Sequence, residues 1–228
     1  MIPNSQVPNV LIGALASLGT DGIVSGIAKR PTRGPWRVTT VGIEGDAQGD
    51  KKHHGGAEKA LHHYPRDHYA VWQAEIGAHS LLQAPGAFGE NLSTDGWTEA
   101  SVCIGDLVRF GSVLLQVSQG RQPCFRLNRR FERVDMAVRV QRSRRTGWYY
   151  RVLEAGDVDD GAEMVVIDRP QPDWPLERLL HLLYVDTRNS DALAAAKAIG
   201  ELADGWRVLF QRRLETSTVE DWRKRLDG

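Results

Sequence analysis

The chain has 228 residues, of which 41% are apolar and 25% charged, and its formal net charge is zero, the balance of an ordinary globular protein. No apolar run approaches the roughly 18 to 20 residues of a membrane span, so we expect no membrane association. The start, "MIPNSQVPNV", has no basic stretch ahead of an apolar one, and two cysteines are too few for a disulfide framework. These features predict a cytoplasmic protein.

Short apolar or alternating runs, separated by Gly, Asp and Pro, fill the chain from Val10 to about Pro170. One of them, "RFGSVLLQV", predicts a hairpin that turns at Gly111 and Ser112. Many short strands with frequent glycine turns favour a barrel over alternating strands and helices. We therefore predict a mainly β fold with helices, in which residues 1–170 form a β-barrel domain.

Two helices are predicted to interrupt these strands. The first runs from Pro65 or Arg66 to about Ile76, and a glycine follows it as a plausible C-cap. The second covers roughly Asp135 to Arg142, where a narrow apolar stripe leaves the arginines facing outward.

The pattern changes at "DRPQPDWP", where three prolines mark a boundary. The runs that follow ("PLERLLHLLYV", "NSDALAAAKAIG" and "WRVLFQRRLE") have the apolar spacing of helices. Asn189 or Ser190 is a suitable N-cap for the second of them, which Gly200 closes. We therefore predict a small all-α three-helix module over residues 171–228.

Arginines are concentrated between Arg121 and Arg151, where ten arginines stand against two acids. An arginine block in a neutral protein indicates a local anion site, so no specific nucleic-acid binding is expected. A helix with a solvated basic face explains the same block equally well.

Four of the seven histidines lie in one short stretch, "KKHHGGAEKALHHY", which suggests a zinc site. Adjacent histidines point in different directions, so each pair offers at most one ligand. No H-E-x-x-H or C-x-x-C motif accompanies them. The pattern disfavours zinc, and we expect His62, His63 and His68 to pack beside the start of a helix.

The same stretch contains Gly55 and Gly56, which let the backbone approach a ligand closely, followed by Lys59. Exposed amides beside a lysine are typical of anion-binding loops. The stretch is neither a Walker loop nor a dinucleotide fingerprint. A second loop, "PGAFGENLST", predicts a tight turn that presents Glu90 and Asn91, although ordinary turn chemistry explains it almost as well.

Cys124 lies in "SQGRQPCFRLN", after a strand, a glycine and a proline that restrict its mobility. Arg121 and Arg126 flank it, and nearby cations favour the thiolate form of a cysteine. A thiolate is a soft metal ligand as well as a nucleophile. The alternative is that Cys124 is an inert small hydrophobic residue.

Four segments occur in an order that closely resembles the MOSC domain family, named for the molybdenum cofactor sulfurase C-terminal region. They are "VGIEGDAQGDKKHHGGAEKALHHYP", "PGAFGENLST", "IGDLVRFGSVLLQVSQGRQPCFRLN" and "RTGWYYRVLEAGDV". The resemblance runs from about Gly13 to Asp168, and the helices after it resemble the 3-alpha module of the bacterial YiiM-like branch. It implies a MOSC-type β-barrel with a pocket for the molybdenum cofactor, a pterin that carries a dithiolene and a phosphate.

The resemblance also implies roles for individual residues. The family cysteine corresponds to Cys124, which is expected to ligate molybdenum or to carry sulfur. His54 or Glu90 is a candidate for moving a proton, since an imidazole is poised near neutral pH. The residues expected to bind the cofactor are Gly55, Gly56, Lys59, Asn91, Arg121, Gln122 and Arg126.

The YiiM-like branch resembles enzymes that reduce N-hydroxylated compounds such as hydroxylaminopurines. That reaction needs two electrons, which no side chain supplies unaided. No flavin or iron–sulfur motif is present, so a separate reductase is expected to donate the electrons. A homodimer is an open possibility. Two alternatives remain: a sulfur carrier that acts through Cys124, and a binding protein without catalysis.

One departure from the family affects the cysteine loop. The family stretch often contains "QPRQPC", and here it is "QGRQPC", with Gly120 in the place of a proline that would stiffen the turn. The sequence therefore predicts a looser loop and a less fixed position for Arg121.

Overall fold

A computed structural model describes residues 1–19, 22–47 and 55–228. Its strands are short, as the glycine-rich sequence predicts. They are β1 (Asn9–Ile12), β2 (Ala16–Leu18), β3 (Ile23–Ser25), β4 (Arg30–Pro31), β5 (Trp36–Thr39), β6 (Gly42–Ile43), β7 (Leu61–His63), β8 (Leu92–Ser93), β9 (Leu107–Phe110), β10 (Val113–Gly120), β11 (Trp148–Glu154), β12 (Gly156–Val158) and β13 (Met164–Asp168).

The main sheet has eight strands in the order β13-β9-β10-β11-β7-β8-β1-β4. Neighbouring strands in this sheet are antiparallel, except that β7 and β8 are parallel. The sheet curls round on itself, because Gln6, just ahead of β1, pairs with Met164 of β13. Each backbone N–H of this pair donates to the other's carbonyl, at 3.1 and 2.7 Å. This bridge links the edge strand β13 to the segment just ahead of β1, so the sheet curls into a half-barrel, and the predicted barrel-type fold class is confirmed.

The longest strand, β10, forms the predicted hairpin with β9. Val113 pairs with Phe110, so β9 and β10 are joined by a two-residue turn at Gly111 and Ser112. Gly111 has φ of 57°, a conformation that glycine adopts without steric cost.

Helices occupy the gaps between the strands and the C-terminal part of the chain. In the described residues they are α1 (Asp67–Ile76), α2 (Arg126–Arg130), α3 (Met136–Ser143), α4 (Leu176–Tyr184), α5 (Ser190–Lys197), α6 (Asp204–Thr216) and α7 (Arg223–Leu226), with 3-10 turns at Ala57–Lys59 and Ser80–Gln83. Both predicted helices of the barrel region are confirmed as α1 and α3. Among the described helices, none is long and apolar enough to cross a membrane.

The helical module packs against one end of the barrel. Leu176, Leu179, Leu180 and Leu183 of α4 are all fully buried, as their spacing predicts. They join Val117 and Trp148 of the barrel strands in one hydrophobic cluster. The two parts are also linked by backbone hydrogen bonds, such as that from the Leu176 N–H to the Val102 carbonyl (2.9 Å). The apolar core is therefore continuous from the barrel into the helices.

Candidate functional site

Two neighbouring residues of β7 face opposite sides of the sheet. Across the ladder, His63 pairs with Trp148 and His62 pairs with Tyr149 of β11. Successive side chains of a strand point to opposite faces. His63 and Trp148 therefore lie inside the barrel, where their rings stack at 4.4 Å between centroids. His62 and Tyr149 lie on the other face, with ring centroids 5.1 Å apart, and both line a cleft.

The His62 imidazole is buried and neutral. Burial lowers its pKa well below the usual value, and the nearby Arg121 charge lowers that pKa further. Its Nε2 atom has no hydrogen-bond partner among the described residues. The sequence pattern predicts only that His62 packs beside a helix start, and its place in the cleft is missed because it depends on the pairing of β7 with β11.

Arg121 follows the last residue of β10 and is fixed by the ladder. Its backbone N–H donates to the Gly147 carbonyl at 2.9 Å. The residue is only 5% exposed, yet its Nη1 atom has no hydrogen-bond partner among the described residues. A buried charged nitrogen without a partner is costly, so this atom is suited to receive an anionic group.

The expected looseness of the loop at Gly120 is wrong. Gly120 is the last residue of β10 and pairs with Trp148. A Cβ atom at this position would lie 2.9 Å from Leu180 Cδ2 and 3.3 Å from Trp206 Cη2. The glycine therefore lets the helical module pack closely against the strand that carries Arg121, and the strand pairing sets the position of the loop.

Cys124 lies at the centre of the cation-rich part of the cleft. It is 6% exposed, and its carbonyl accepts the Leu127 N–H (2.9 Å) just before α2 forms. Lys59, Arg121 and Arg126 line the same cleft. Three cations in the cleft that contains this thiol are suited to attract an anion.

Tyr149, a residue of β11, lines the same cleft as Cys124 and the cations. No motif in the sequence predicts this position. Burial raises the pKa of its hydroxyl, while the Arg121 charge opposes that rise. The hydroxyl therefore stays protonated at neutral pH and is available as a hydrogen-bond donor.

The opposite wall of the cleft contains a buried ion pair that the sequence pattern also does not predict. The Lys29 ammonium contacts both carboxylate oxygens of Asp46. Asp46 also accepts hydrogen bonds from the Gly13 N–H (2.9 Å) and the Asn91 amide (2.9 Å). Burial lowers the pKa of Lys29, and Asp46 opposes this. No local motif marks the pair, since the two residues lie in separate loops.

The two residues predicted in the "PGAFGENLST" turn have different positions. Asn91 lines the cleft, but its amide bonds Asp46, the Leu11 carbonyl (3.2 Å) and the His62 N–H (3.2 Å). Its polar atoms thus hold neighbouring strands together.

Glu90, the predicted proton carrier, does not line the cleft. It is fully buried, and its carboxylate accepts the N–H groups of Gly86 (2.7 Å) and Phe88 (3.0 Å) and the hydroxyl of Tyr69. These bonds stabilise its own turn, and a carboxylate so placed is poorly suited to carry protons to the cleft.

The remaining residues predicted to bind the cofactor or move a proton do not line the first cleft in the described part of the chain. His54 lies outside the described residues. Gly55 and Gly56 line neither cleft that contains Cys124. Gly56 has φ of 94° and precedes the 3-10 turn that carries Lys59. Gln122 lines a second cleft on the other side of the Cys124 loop.

The arginines between residues 121 and 151 fit both interpretations given above, an anion site and a solvated basic face. Arg121 and Arg126 line the cleft. Others form ion pairs away from it, such as Arg145 with Glu75 (2.6 Å). Only part of the block therefore serves an anion site.

No group of three or more His, Cys, Asp or Glu side chains in residues 1–19, 22–47 and 55–228 could hold a metal ion by itself. A metal that binds at Cys124 would need further ligands from a cofactor. The residues present fit such a group. The thiol is a soft ligand, three cations suit a phosphate, and the orphaned Arg121 Nη1 and His62 Nε2 atoms lack the partners that a polar cofactor would provide.

The fold and this cleft define a class of protein: a curled, half-barrel β-sheet backed by helices, with a cation-lined cleft that contains a cysteine. The MOSC domain model matches residues 50–165, and the YiiM-like, 3-alpha helix domain model matches residues 174–217. The chain therefore belongs to the MOSC domain family, in the YiiM-like branch that carries the 3-alpha domain.

Individual relatives agree with this assignment. Protein YiiM of Escherichia coli (strain K12) is 39% identical over 211 residues, which cover 91% of this chain and 92% of that protein. A crystal structure of YiiM from Escherichia coli matches with a TM-score of 0.85 and 31% identity, covering 99% of this chain and 100% of that one. A protein named "Reductase" from Gibberella moniliformis is 41% identical over 153 residues, 67% of this chain and 27% of that protein.

Proposed function

We propose that this protein is a molybdenum-cofactor-binding oxidoreductase that reduces N-hydroxylated compounds such as hydroxylaminopurines, with electrons from a separate reductase. One observation carries the proposal: a buried guanidinium nitrogen without a partner, Arg121 Nη1, lines the same cleft as the Cys124 thiol. A soft metal ligand and an anion-binding group within one cleft are what a metal–pterin phosphate requires. The relative named "Reductase" supports the reaction class.

Within this proposal, each residue of the cleft has a distinct task. Arg121, Lys59 and Arg126 would hold the cofactor phosphate, and Cys124 would ligate the metal. When bound, the cofactor supplies the two-electron chemistry that side chains lack. The Lys29–Asp46 pair, fixed by Asn91, would keep the opposite wall rigid.

The reaction converts R–NHOH, two electrons and two protons into R–NH2 and water, with cleavage of the N–O bond. The chain must therefore place a proton donor near the leaving hydroxyl. Tyr149 is suited to orient the leaving hydroxyl, because its protonated hydroxyl can donate a hydrogen bond and the residue lines the cleft that contains Cys124. Glu90 is not suited to donate the proton, since its carboxylate is occupied by Tyr69 and the turn amides.

The test is the activity and cofactor content of protein made in a host that synthesises molybdopterin. We expect Cys124→Ala to lower hydroxylaminopurine reduction by about three orders of magnitude or more, the scale for loss of an essential reactive group. The matched control is Cys103→Ala, because Cys103 is buried elsewhere with its thiol near the Pro172 carbonyl (3.7 Å). Full activity of Cys124→Ala would contradict the ligand role, and cofactor retention without turnover would indicate a binding protein.

A second candidate, sulfur transfer through a Cys124 persulfide, is favoured by the same cations, which stabilise a sulfur anion. Mass spectrometry of the purified protein distinguishes the two. A persulfide on Cys124 with no pterin would support sulfur transfer over reduction.

A further inference from the structure

Cys124 lines two clefts. The first contains the cations and the Lys29–Asp46 pair. The second lies on the side of the helical module and encloses about 1550 Å3, open solvent included. Lys59, Cys124, Arg126 and Tyr149 line both. A molecule in either cleft can therefore reach the sulfur.

One wall of the second cleft is built by residues 218–228, which follow the residues matched by the 3-alpha domain model. This C-terminal segment is fixed to the Cys124 loop. The Phe125 N–H donates to the Arg225 carbonyl (2.8 Å), and the Asn128 amide donates to the Leu226 carbonyl (2.8 Å). The Arg225 guanidinium bonds the Pro123 carbonyl and Gln141 Oε1 (2.6 Å). The segment is thus part of the site.

The lining of the second cleft differs from that of the first. Its walls include the rings of Phe125, Tyr149 and Trp222, with Leu209 of α6 beside them. Two glutamines, Gln119 and Gln122, add neutral polar atoms. Partly exposed aromatic faces with a few amides favour a flat ring with polar edges.

The two acids of this wall do not make the cleft a cation site. Glu220 is paired with Arg213 (2.7 Å) and also accepts the Trp222 indole N–H (2.8 Å). Asp221 is paired with Arg223 (2.6 Å). Their charges are balanced within the segment. Four bases also line the cleft (Lys59, Arg126, Lys224 and Arg225), so a ring bound there can carry electron-rich polar edges.

We propose that the second cleft binds the organic substrate as a planar ring, with Phe125, Trp222 and Leu209 determining which rings reach Cys124. This inference rests on the proposed function in one respect: the cation-lined first cleft must be the one that holds the anionic cofactor. The two clefts then meet at Cys124, and Tyr149 borders both.

The test fills the second cleft without touching the first. Leu209 is half-buried and lines only the second cleft, so Leu209→Trp should obstruct it. The matched control is Val208→Trp, at a neighbouring position of α6 that is 59% exposed and lines neither cleft. Lys224→Trp, an exposed position in α7 that also lines the second cleft, repeats the obstruction from the other wall.

The first measurement uses protein from a host without molybdopterin, so it is independent of activity. Alkylation of Cys124 by neutral N-phenylmaleimide and by anionic iodoacetate is followed by peptide mass spectrometry, which separates Cys124 from Cys103. We expect Leu209→Trp and Lys224→Trp to slow N-phenylmaleimide about tenfold and iodoacetate by less than about twofold, since shape governs access to a cleft. Val208→Trp should change neither rate.

The second measurement uses the cofactor-loaded enzyme. Leu209→Trp should raise KM for a ring-bearing N-hydroxylated substrate about tenfold while KM for methylhydroxylamine and the molybdenum content stay unchanged, because only the ring contacts are lost. Unchanged alkylation in both obstructing variants, or equal slowing of both reagents, would overturn the inference. If no variant, wild type included, reduces any N-hydroxylated compound, the proposed function fails, while the alkylation rates still decide the role of the cleft.

Discussion

The two neighbouring histidines of β7, which face opposite sides of the sheet, differ in whether their ring nitrogens have hydrogen-bond partners. On the inner face, His63 Nδ1 bonds the Tyr150 hydroxyl (3.1 Å) and Nε2 bonds the Thr94 hydroxyl (2.9 Å). On the cleft face, His62 Nε2 and Arg121 Nη1 have no partner within the described residues. An unpartnered buried polar group costs about 1–3 kcal/mol. Trp148 Nε1 on the inner face also lacks a partner among the described residues, so the comparison that follows concerns the two histidines and the residues they contact.

The largest expected effect comes from Gly147, which lies next to both histidines. A Cβ here would lie 2.2 Å from the His63 carbonyl oxygen and 3.0 Å from His62 Nε2, and φ is +70°. Gly147→Ala should therefore lower the free energy of unfolding by about 4 kcal/mol or more. Gly161→Ala is the matched control, with φ of +82° and no atom within 4 Å of its Cβ, and should cost about 1 kcal/mol. Denaturant unfolding of both variants measures the difference, and equal losses would contradict the steric cause.

The two histidines give the next effect. His63→Ala should cost about 3 kcal/mol, because it opens a cavity and leaves the hydroxyls of Tyr150 and Thr94 without partners. His62→Ala should cost about 1.5 kcal/mol, because it also removes a buried ring but breaks no hydrogen bond of Nε2 within the described chain. Thermal and denaturant unfolding of the two alanine variants measures the free energy that each loses. Equal costs would show that His62 is structural, and the contrast between the two histidines would break.

The pH dependence of stability sharpens the same contrast. Burial lowers the pKa of His63 from 6.5 to about 3. Between these values the unfolded chain binds a proton that the folded chain does not. The contribution of neutral His63 to the free energy of unfolding is therefore fully present above about pH 6.5. As the pH drops below this value, the free energy of unfolding falls by about 1.4 kcal/mol per pH unit because of this residue.

His63→Phe keeps a ring in the stack and removes the titration. The slope of unfolding free energy against pH, measured between about pH 4.5 and 6.5, should fall by about 1.4 kcal/mol per pH unit relative to wild type. An unchanged slope would mean that His63 is charged in the folded protein.

The smallest expected effect separates two adjacent tyrosines of β11. Tyr150→Phe should cost about 1.5 kcal/mol, because the variant leaves His63 Nδ1 without its bond inside the barrel. Tyr149→Phe should cost about 0.5 kcal/mol, because its hydroxyl lies in the cleft. Unfolding measurements on both variants test this, and a reversed order would place the structural network on the cleft face.

Local sequence predicts the residues whose role depends on nearby neighbours. Cys124, Arg121 and Arg126 lie within six positions of each other, so chain connectivity alone keeps them close together. The leucine spacing of α4 and the Gly111–Ser112 turn are similarly local. Such features follow from helix period, turn chemistry and adjacency.

The residues that local sequence does not predict depend on long-range pairing. His62 meets Tyr149 only through the register of β7 and β11, and a shift of one position would exchange the two faces. Lys29 meets Asp46 across separate loops. Glu90 is mispredicted for the converse reason: a carboxylate in a turn looks available, yet here the turn's own amides and the remote Tyr69 occupy it.

The curling of the sheet has a consequence for synthesis. Gln6 pairs with Met164, so the first strand is made long before its final partner. At typical elongation rates of roughly 5–20 residues per second, the N-terminal edge waits on the order of ten seconds or more. During that time an unpaired strand edge is exposed to other chains. Translation speed and chaperone occupancy at this edge should therefore influence the yield of folded protein.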